Sequence, residues 1–192
     1  MADAIAYAHG RNIIHRDLKP ANVIVGDFGE TIVIDWGLAK DLTVTEEAAT
    51  GGGPLHAPDD GLTDAGSVLG TPAYMAPEQK RGEPVDQRAD VFAIGAMLWE
   101  LCVLQDGPPT ETHRHRMLRS AGIDQDLATI IDKALDPDPE RRYPDAGALA
   151  SEVVHTCRVG RDVAFASWSS SAFRRSLAAM KGSTVARGLG SS

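Results

Sequence analysis

His15-Arg16-Asp17-Leu18-Lys19-Pro20-Ala21-Asn22 is the stretch on which the reading of this chain turns. It is a dense polar loop between two apolar segments. Ile13-Ile14 precede it, and the β-branched runs Val23-Ile24-Val25 and Thr31-Ile32-Val33-Ile34 follow it. The two runs are separated by Gly26 to Glu30, which has turn composition, so they predict a β-hairpin. Such a hairpin returns Asp35 to the end of the sheet where Asn22 sits. Transfer of a phosphoryl group needs an acceptor for the attacking hydroxyl's proton, a cation beside the migrating charge, and oxygen ligands for Mg²⁺. Alone, the stretch also fits a solvated loop; read for this chemistry, Asp17 could supply the first, Lys19 the second, and Asn22 with Asp35 the third.

Outward from this loop the chain reads as mainly helical. Ala2 to Asn12 predicts the end of a helix, with Ile5, Ala8 and Asn12 at helical spacing. Asp90 to Leu104 is apolar on nearly all sides, the pattern of a helix buried at a domain centre. Leu127 to Leu135 has an amphipathic helical spacing, and Asp145 to about Cys157 predicts a further helix with Asp145 as its N-cap. Asp41 to Ser67 is polar and rich in Thr, Gly and Pro, the composition of a long mobile loop that includes the flexible Gly51-Gly52-Gly53. The prolines of Gly70 to Glu78 predict an ordered turn.

The 192 residues carry 19 Lys plus Arg against 27 Asp plus Glu, a net charge of −8, which argues against a nucleic-acid partner. With 43% hydrophobic and 24% charged residues, wholesale disorder is excluded. Two cysteines make no disulfide framework or metal knuckle, and Cys102 in its apolar run reads as a core thiol. No signal segment and no membrane-spanning run is seen, so the expectation is a cytoplasmic chain. The stretch after Cys157 is net basic and Ser- and Gly-rich. The domain reading is therefore 1–155 for the folded unit and 156–192 for a flexible tail. His113-Arg114-His115-Arg116 has no carboxylate close by in sequence and reads as a solvated helix face.

Five motifs in order carry a family resemblance. HRDLKPAN at 15–22 resembles the catalytic loop of eukaryotic-like Ser/Thr protein kinases, in the style of their bacterial members. Asp35-Trp36-Gly37 resembles the family's metal-binding DFG, with Trp for Phe. Ala76-Pro77-Glu78 matches its APE. Asp90 to Gly95 resembles the start of the large lobe's central helix, and Arg142 matches the Arg that pairs with the APE glutamate. Asp27-Phe28-Gly29 spells DFG literally, but it lies within the hairpin turn, where a turn role fits better.

The resemblance implies ATP and Mg²⁺ as cofactors and protein Ser/Thr hydroxyls as substrates. It implies Asp17 as base, Lys19 steadying the phosphate, Asn22 and Asp35 on Mg²⁺, and Ile24 on the floor of the adenine pocket. Thr71 would stand by Asp17. Thr63, ahead of Ser67, is the first choice for a phosphate held by Arg16. His15 would pack on Trp36, Asp90 would hold the backbone of the His15–Asp17 turn, and Glu78 would pair with Arg142. Within these residues no Gly-rich phosphate loop and no strand lysine is found. The expected fold is therefore mainly α with a small β-hairpin (α+β overall), a kinase-like large lobe without its N-terminal lobe. That lobe clamps the nucleotide, so the chain alone is expected to be inactive or weakly active, with a complementing lobe or a kinase as a possible partner. An apolar surface near Ile24 and Val33 is expected where the lobe would sit. A non-catalytic binding module and a truncated remnant stay open as alternatives.

Overall fold

The computed structural model describes residues 1–26, 28, 30–44, 72–103 and 111–159. The expectations for Asp27, Gly51 to Gly53, Thr63, Ser67, Thr71 and the tail from 160 onward fall outside the described residues. Among the described residues, two short antiparallel sheets and six α-helices follow in the order α1 (Ala2–His9), β1 (Ile13–Ile14), β2 (Val23–Val25), β3 (Thr31–Val33), β4 (Lys40–Asp41), α2 (Pro77–Lys80), α3 (Gln87–Val103), α4 (Glu111–Ser120), α5 (Gln125–Ala134) and α6 (Ala146–Val159).

The helices are placed by α3. It is apolar around its whole circumference, and twelve of its residues, from Ala89 to Leu101, are buried. A helix with no polar face must be wrapped. Val91 and Ile94 pack with Ile5 of α1, Leu149 of α6 and Tyr143, whereas Phe92, Ala96 and Trp99 pack with Leu118 of α4 and with Leu127 and Ile131 of α5. Each fully buried Leu, Ile or Phe side chain stabilises the fold by roughly 1.5–3 kcal/mol. Gly95 of α3 packs closely on the end of α5: a Cβ built there would lie 2.8 Å from the Ala134 Cβ and 3.3 Å from the Leu135 Cγ.

Three helix limits differ from the sequence reading. α1 stops at His9 rather than Asn12, because Asn12 adopts φ 59° and turns the chain into β1. α3 starts at Gln87, ahead of Asp90, because the Asp86 carboxylate accepts the Arg88 N–H (2.8 Å) and begins the helix there. α5 starts at Gln125, with the Asp124 carboxylate accepting the Asp126 N–H (2.8 Å). Between α4 and α5, Gly122 takes φ 74° and Ile123 N–H reaches back to the Leu118 carbonyl (3.0 Å), a left-handed stop that suits glycine. At α6 the Asp145 carboxylate accepts the Ala148 N–H at 2.8 Å.

The β2–β3 hairpin pairs Val23 with Val33, Ile24 with Ile32 and Val25 with Thr31. Alternation along the strands buries Val23 and Val33 and turns Ile24 and Ile32 outward. The apolar surface expected at Ile24 and Val33 is thus made instead by Ile24, Ile32 and Ile34, which are 41%, 54% and 38% exposed. The second sheet pairs Ile13 with Asp41 and Ile14 with Lys40 and has no signal in the sequence reading.

The expectation of a solvated His113–Arg116 face is corrected. Arg114 is buried, its Nε donating to Asp132 Oδ1 (3.2 Å) and its Nη1 to the Leu135 carbonyl (3.2 Å), and His115 Nδ1 lies 3.0 Å from Asp132 Oδ2. The carboxylate partner is far along the chain but faces α4 from α5. Among the described residues no group of three or more His, Cys, Asp or Glu side chains is arranged to hold a metal ion. Nor is any of their helices long and apolar enough to cross a membrane.

Candidate active site

The loop from His15 to Asn22 is held by a buried carboxylate from the central helix. Asp90, 1% exposed, accepts the His15 N–H on Oδ2 (2.8 Å) and the Arg16 N–H on Oδ1 (2.9 Å). These bonds sustain an unfavourable backbone. Arg16 sits at φ 71°, a left-handed conformation that costs a residue with a Cβ roughly 1–2 kcal/mol. From the other side, Gln79 Nε2 of α2 donates to the Arg16 carbonyl at 2.6 Å. Both faces of the Arg16 peptide are therefore pinned, and Asp17 follows directly.

Asp17 is buried and forms the centre of a polar cluster. Its Oδ2 accepts from Lys19 Nζ at 2.6 Å and from Asn22 Nδ2 at 3.3 Å. Asn22 Nδ2 also donates to the Asp17 carbonyl (2.8 Å), which fixes the amide plane and leaves Asn22 Oδ1 as an oxygen donor without a described hydrogen-bond partner. Ile34 N–H bonds the Asn22 carbonyl at 2.9 Å, so the hairpin ladder runs one pair beyond β2–β3. Asp35, the next residue, is exposed, with φ 63°. A primary amide and a carboxylate at one end of a hairpin are hard oxygen donors of the kind Mg²⁺ takes, so the residues fit that ion.

His15 ties the loop to the hairpin. Its Nδ1 accepts the Asp17 N–H (3.3 Å), so Nε2 carries the proton and donates to the Ile34 carbonyl (3.1 Å). Its ring lies 4.7 Å from that of Trp36, whose Nε1 donates to the Val33 carbonyl at 3.1 Å. The Arg16 Nε is buried without a partner among the described residues.

A second buried pair anchors α2. Arg142 grips Glu78 with both terminal nitrogens (Nη1–Oε1 2.6 Å, Nη2–Oε2 2.8 Å). Its Nε donates to the Asp136 carbonyl (2.7 Å), and the remaining N–H groups reach the carbonyls of Arg88 (3.0 Å) and Pro137 (3.4 Å). All five guanidinium donors are used, over the face of Phe92 at 5.0 Å. Ahead of α2, the Tyr74 hydroxyl donates to the buried Glu100 carboxylate near the far end of α3.

The structure thus brings Asp17, Lys19, Asn22, His15 and Trp36 together with the hairpin end that carries Asp35. It places Asp90 under the loop and Glu78 with Arg142 beneath α2, and leaves Ile24 on the outer face of the hairpin. Residues 1–162 match the family model described as the protein kinase domain. The chain belongs to the protein kinase domain family. It is similar to the serine/threonine-protein kinase PknD of Protochlamydia amoebophila, 33% identical over 169 residues, covering 80% of this chain and 17% of that protein. It resembles the PknD of Chlamydia abortus at 32% identity over 174 residues (80% and 18%), and the serine/threonine-protein kinase PknB of Mycobacterium leprae at 31% over 163 residues (79% and 24%). The chain therefore spans about a fifth of the length of these relatives. Within this kinase-type unit, the residues the motifs did not reveal are Gln79, His9, Tyr74 and Glu100. Gln79 stands next to Glu78 in the sequence, but its contact with Arg16 spans 63 positions, which no local pattern announces.

Proposed function

We propose that this chain contributes the catalytic-loop half of a bacterial-type Ser/Thr protein kinase that moves the γ-phosphoryl group of ATP to a Ser or Thr hydroxyl of a protein. One observation carries the reading: the buried Asp17 carboxylate is oriented by Lys19 and Asn22 beside the hairpin end that bears Asp35. The hydroxyl oxygen bonds to the γ-phosphorus, the bond from that phosphorus to the bridging oxygen of ADP breaks, and the hydroxyl proton passes to Asp17. Lys19 lies within reach of both the carboxylate and the incoming negative charge. Asn22 Oδ1 and the Asp35 carboxylate would hold Mg²⁺, which supplies neutralisation of phosphate charge when bound. Ile24 offers an apolar floor for the adenine. Thr71 would favour the Ser/Thr hydroxyl beside Asp17, and a phosphate on Thr63 or Ser67 would find its cation in Arg16.

The unit proposed is 1–155, ending within α6, followed by a basic tail. No Gly-rich phosphate loop is seen in this sequence, and Lys40 of β4, the strand lysine described, follows the Asp35 motif instead of preceding the catalytic loop. A nucleotide-clamping lobe, whether joined to this sequence or separate from it, would dock on the outward face of Ile24, Ile32 and Ile34. A chain working on ATP and protein hydroxyls in this way belongs in the cytoplasm.

The test has two arms. Calorimetry on the chain should find Mg·ATP binding no tighter than millimolar, and weaker still for Asp35→Ala. With a Gly-rich, lysine-bearing kinase N-terminal lobe added in trans, phosphate transfer to a Ser/Thr peptide should appear, and Asp17→Asn should lower it by about 10²–10⁴-fold. Transfer that is indifferent to Asp17→Asn, or partner binding that persists with no transfer at all, would point to the non-catalytic scaffold instead.

A further inference from the structure

Glu78 and Gln79 are neighbours on α2 but reach to different parts of the chain. Glu78 is gripped by the Arg142 fork, which also bonds the Arg88 carbonyl in the first turn of α3. Gln79 is half-buried and donates from Nε2 to the Arg16 carbonyl at 2.6 Å. That oxygen and the Asp17 N–H belong to one peptide group, and the N–H is held in turn by His15 Nδ1 at 3.3 Å. The two peptides flanking the left-handed Arg16 therefore have separate anchors. Asp90 holds the one before it through the Arg16 N–H (2.9 Å), and Gln79 holds the one after it. A left-handed residue with a Cβ relieves its strain by turning one of its flanking peptides, so an anchor on one side alone leaves the other free to turn.

α2 has only four residues, yet it can serve as a fixed post. The Glu83 N–H bonds the Glu78 carbonyl (3.0 Å) and the Gly82 N–H the Gln79 carbonyl (3.2 Å), with Gly82 at φ 68°. This Schellman closure uses backbone groups alone and does not draw on the Gln79 side chain.

We propose that Gln79 is a positioning residue for Asp17: it carries the position of α2 to the Arg16–Asp17 peptide by a route separate from Asp90. Because the Glu78–Arg142 pair fixes α2, a shift of that helix reaches the Asp17 backbone through one side-chain amide. The proposal rests on the kinase reading for its catalytic meaning, but the hold on the peptide does not depend on activity.

Two substitutions remove the donor without shortening the side chain. Gln79→Met replaces the amide by apolar atoms, and Gln79→Glu turns an acceptor towards the Arg16 carbonyl. Amide hydrogen exchange on the full 192-residue chain should be about tenfold faster at Asp17 in both, as expected for the loss of one hydrogen bond. The Glu83 amide, which closes α2, and the Leu135 amide, bonded to the Ile131 carbonyl, should keep their rates. The carbon resonance of the Arg16 carbonyl should move upfield. Arg142→Lys loosens α2, so it should speed exchange at Asp17 when Gln79 is present and add nothing to Gln79→Met. In the trans-complemented transfer assay both Gln79 variants should lower kcat by about 10- to 100-fold at nearly unchanged KM for Mg·ATP.

Equal acceleration at Asp17, Glu83 and Leu135, tracking global stability, would overturn the positioning role. So would unchanged exchange at Asp17 in a folded Gln79→Met chain. An Arg142→Lys effect of the same size with and without Gln79 would also overturn it, because the coupling would then run through Arg88 and α3. The exchange pattern as expected, with no phosphate transfer by any version of the chain, would support the coupling and count against the kinase reading alone.

Discussion

Replacing Arg142 by Ala removes a guanidinium whose five N–H groups are all bonded, and it leaves the Glu78 carboxylate behind at 4% exposure. The side chains of the pair are 0% and 5% exposed, so the discount that applies to surface ion pairs does not apply. Breaking a buried pair from one side costs about 3–5 kcal/mol, because the remaining charge is uncompensated. Total stability of a domain this size is about 5–15 kcal/mol, so the loss is a large share of it. At about 2–4 °C per kcal/mol the midpoint should fall by about 6–20 °C. Arg142→Lys keeps the charge but not the planar fork and should cost about 1–3 kcal/mol. Urea unfolding of the 192-residue chain followed by circular dichroism measures both, and a double-mutant cycle with Glu78→Ala should return a coupling of at least about 2 kcal/mol. A loss below about 1 kcal/mol for Arg142→Ala would place the pair in the range of exposed ion pairs and refute the argument from burial.

Gly95→Ala sets helix propensity against space. Alanine favours a helix by about 1 kcal/mol over glycine, but its Cβ would meet Ala134 at 2.8 Å, and overpacking of this kind costs about 1–3 kcal/mol. The variant should melt lower, and a higher midpoint would show that α3 and α5 separate easily. Burial pushes the Cys102 thiol up to about 12 from an ordinary 9.0. At pH 8 its thiolate should be about 10³-fold scarcer than in the unfolded chain, so alkylation should be slow until the chain unfolds. The thiol form is the one the fold favours. That contribution is complete below pH 9 and disappears as pH rises towards 12, and rapid labelling of Cys102 in the native chain at pH 8 would contradict it.

Two long-range contacts, Asp90 with the His15–Asp17 turn and Glu78 with Arg142, were legible only through the family resemblance; the other parts that read correctly from the sequence are those whose partners lie nearby. The β-branched runs around the 26–30 turn made the hairpin visible, and one ladder step beyond it brings Ile34, and so Asp35, back to Asn22. The unbroken apolar character of α3 and the spacing of Leu127, Ile130, Ile131 and Ala134 in α5 carried the helices. What escaped depends on pairs that only the tertiary fold creates. Arg114 looked solvated because Asp132 is 18 residues away, on the facing helix. His9 was not singled out at all, because its two partners, Asp90 and Ala146, stand 81 and 137 positions along the chain. The β1–β4 pairing joins two dipeptides too short to carry a period. Val33 was placed on the wrong face because the hairpin's inward side follows from its register, with Val33 opposite the buried Val23, and composition alone does not choose between alternate positions.

α3 also acts as a ruler. Near its start Asp90 fastens the His15–Asp17 turn, and ten residues on Glu100 receives Tyr74 from the segment leading into α2. At 1.5 Å per residue the two anchor points are about 15 Å apart along one stiff rod, whatever the loops between them do. Adding or deleting a single residue between Asp90 and Glu100 would change that spacing by only about 1.5 Å, but it would swing one carboxylate by about 100° around the axis and detach one of the two segments. The length of the helix between its two acids is therefore under tighter constraint than the identity of most side chains along it, and natural variation in this protein should appear as substitutions within the rod, never as changes in its residue count.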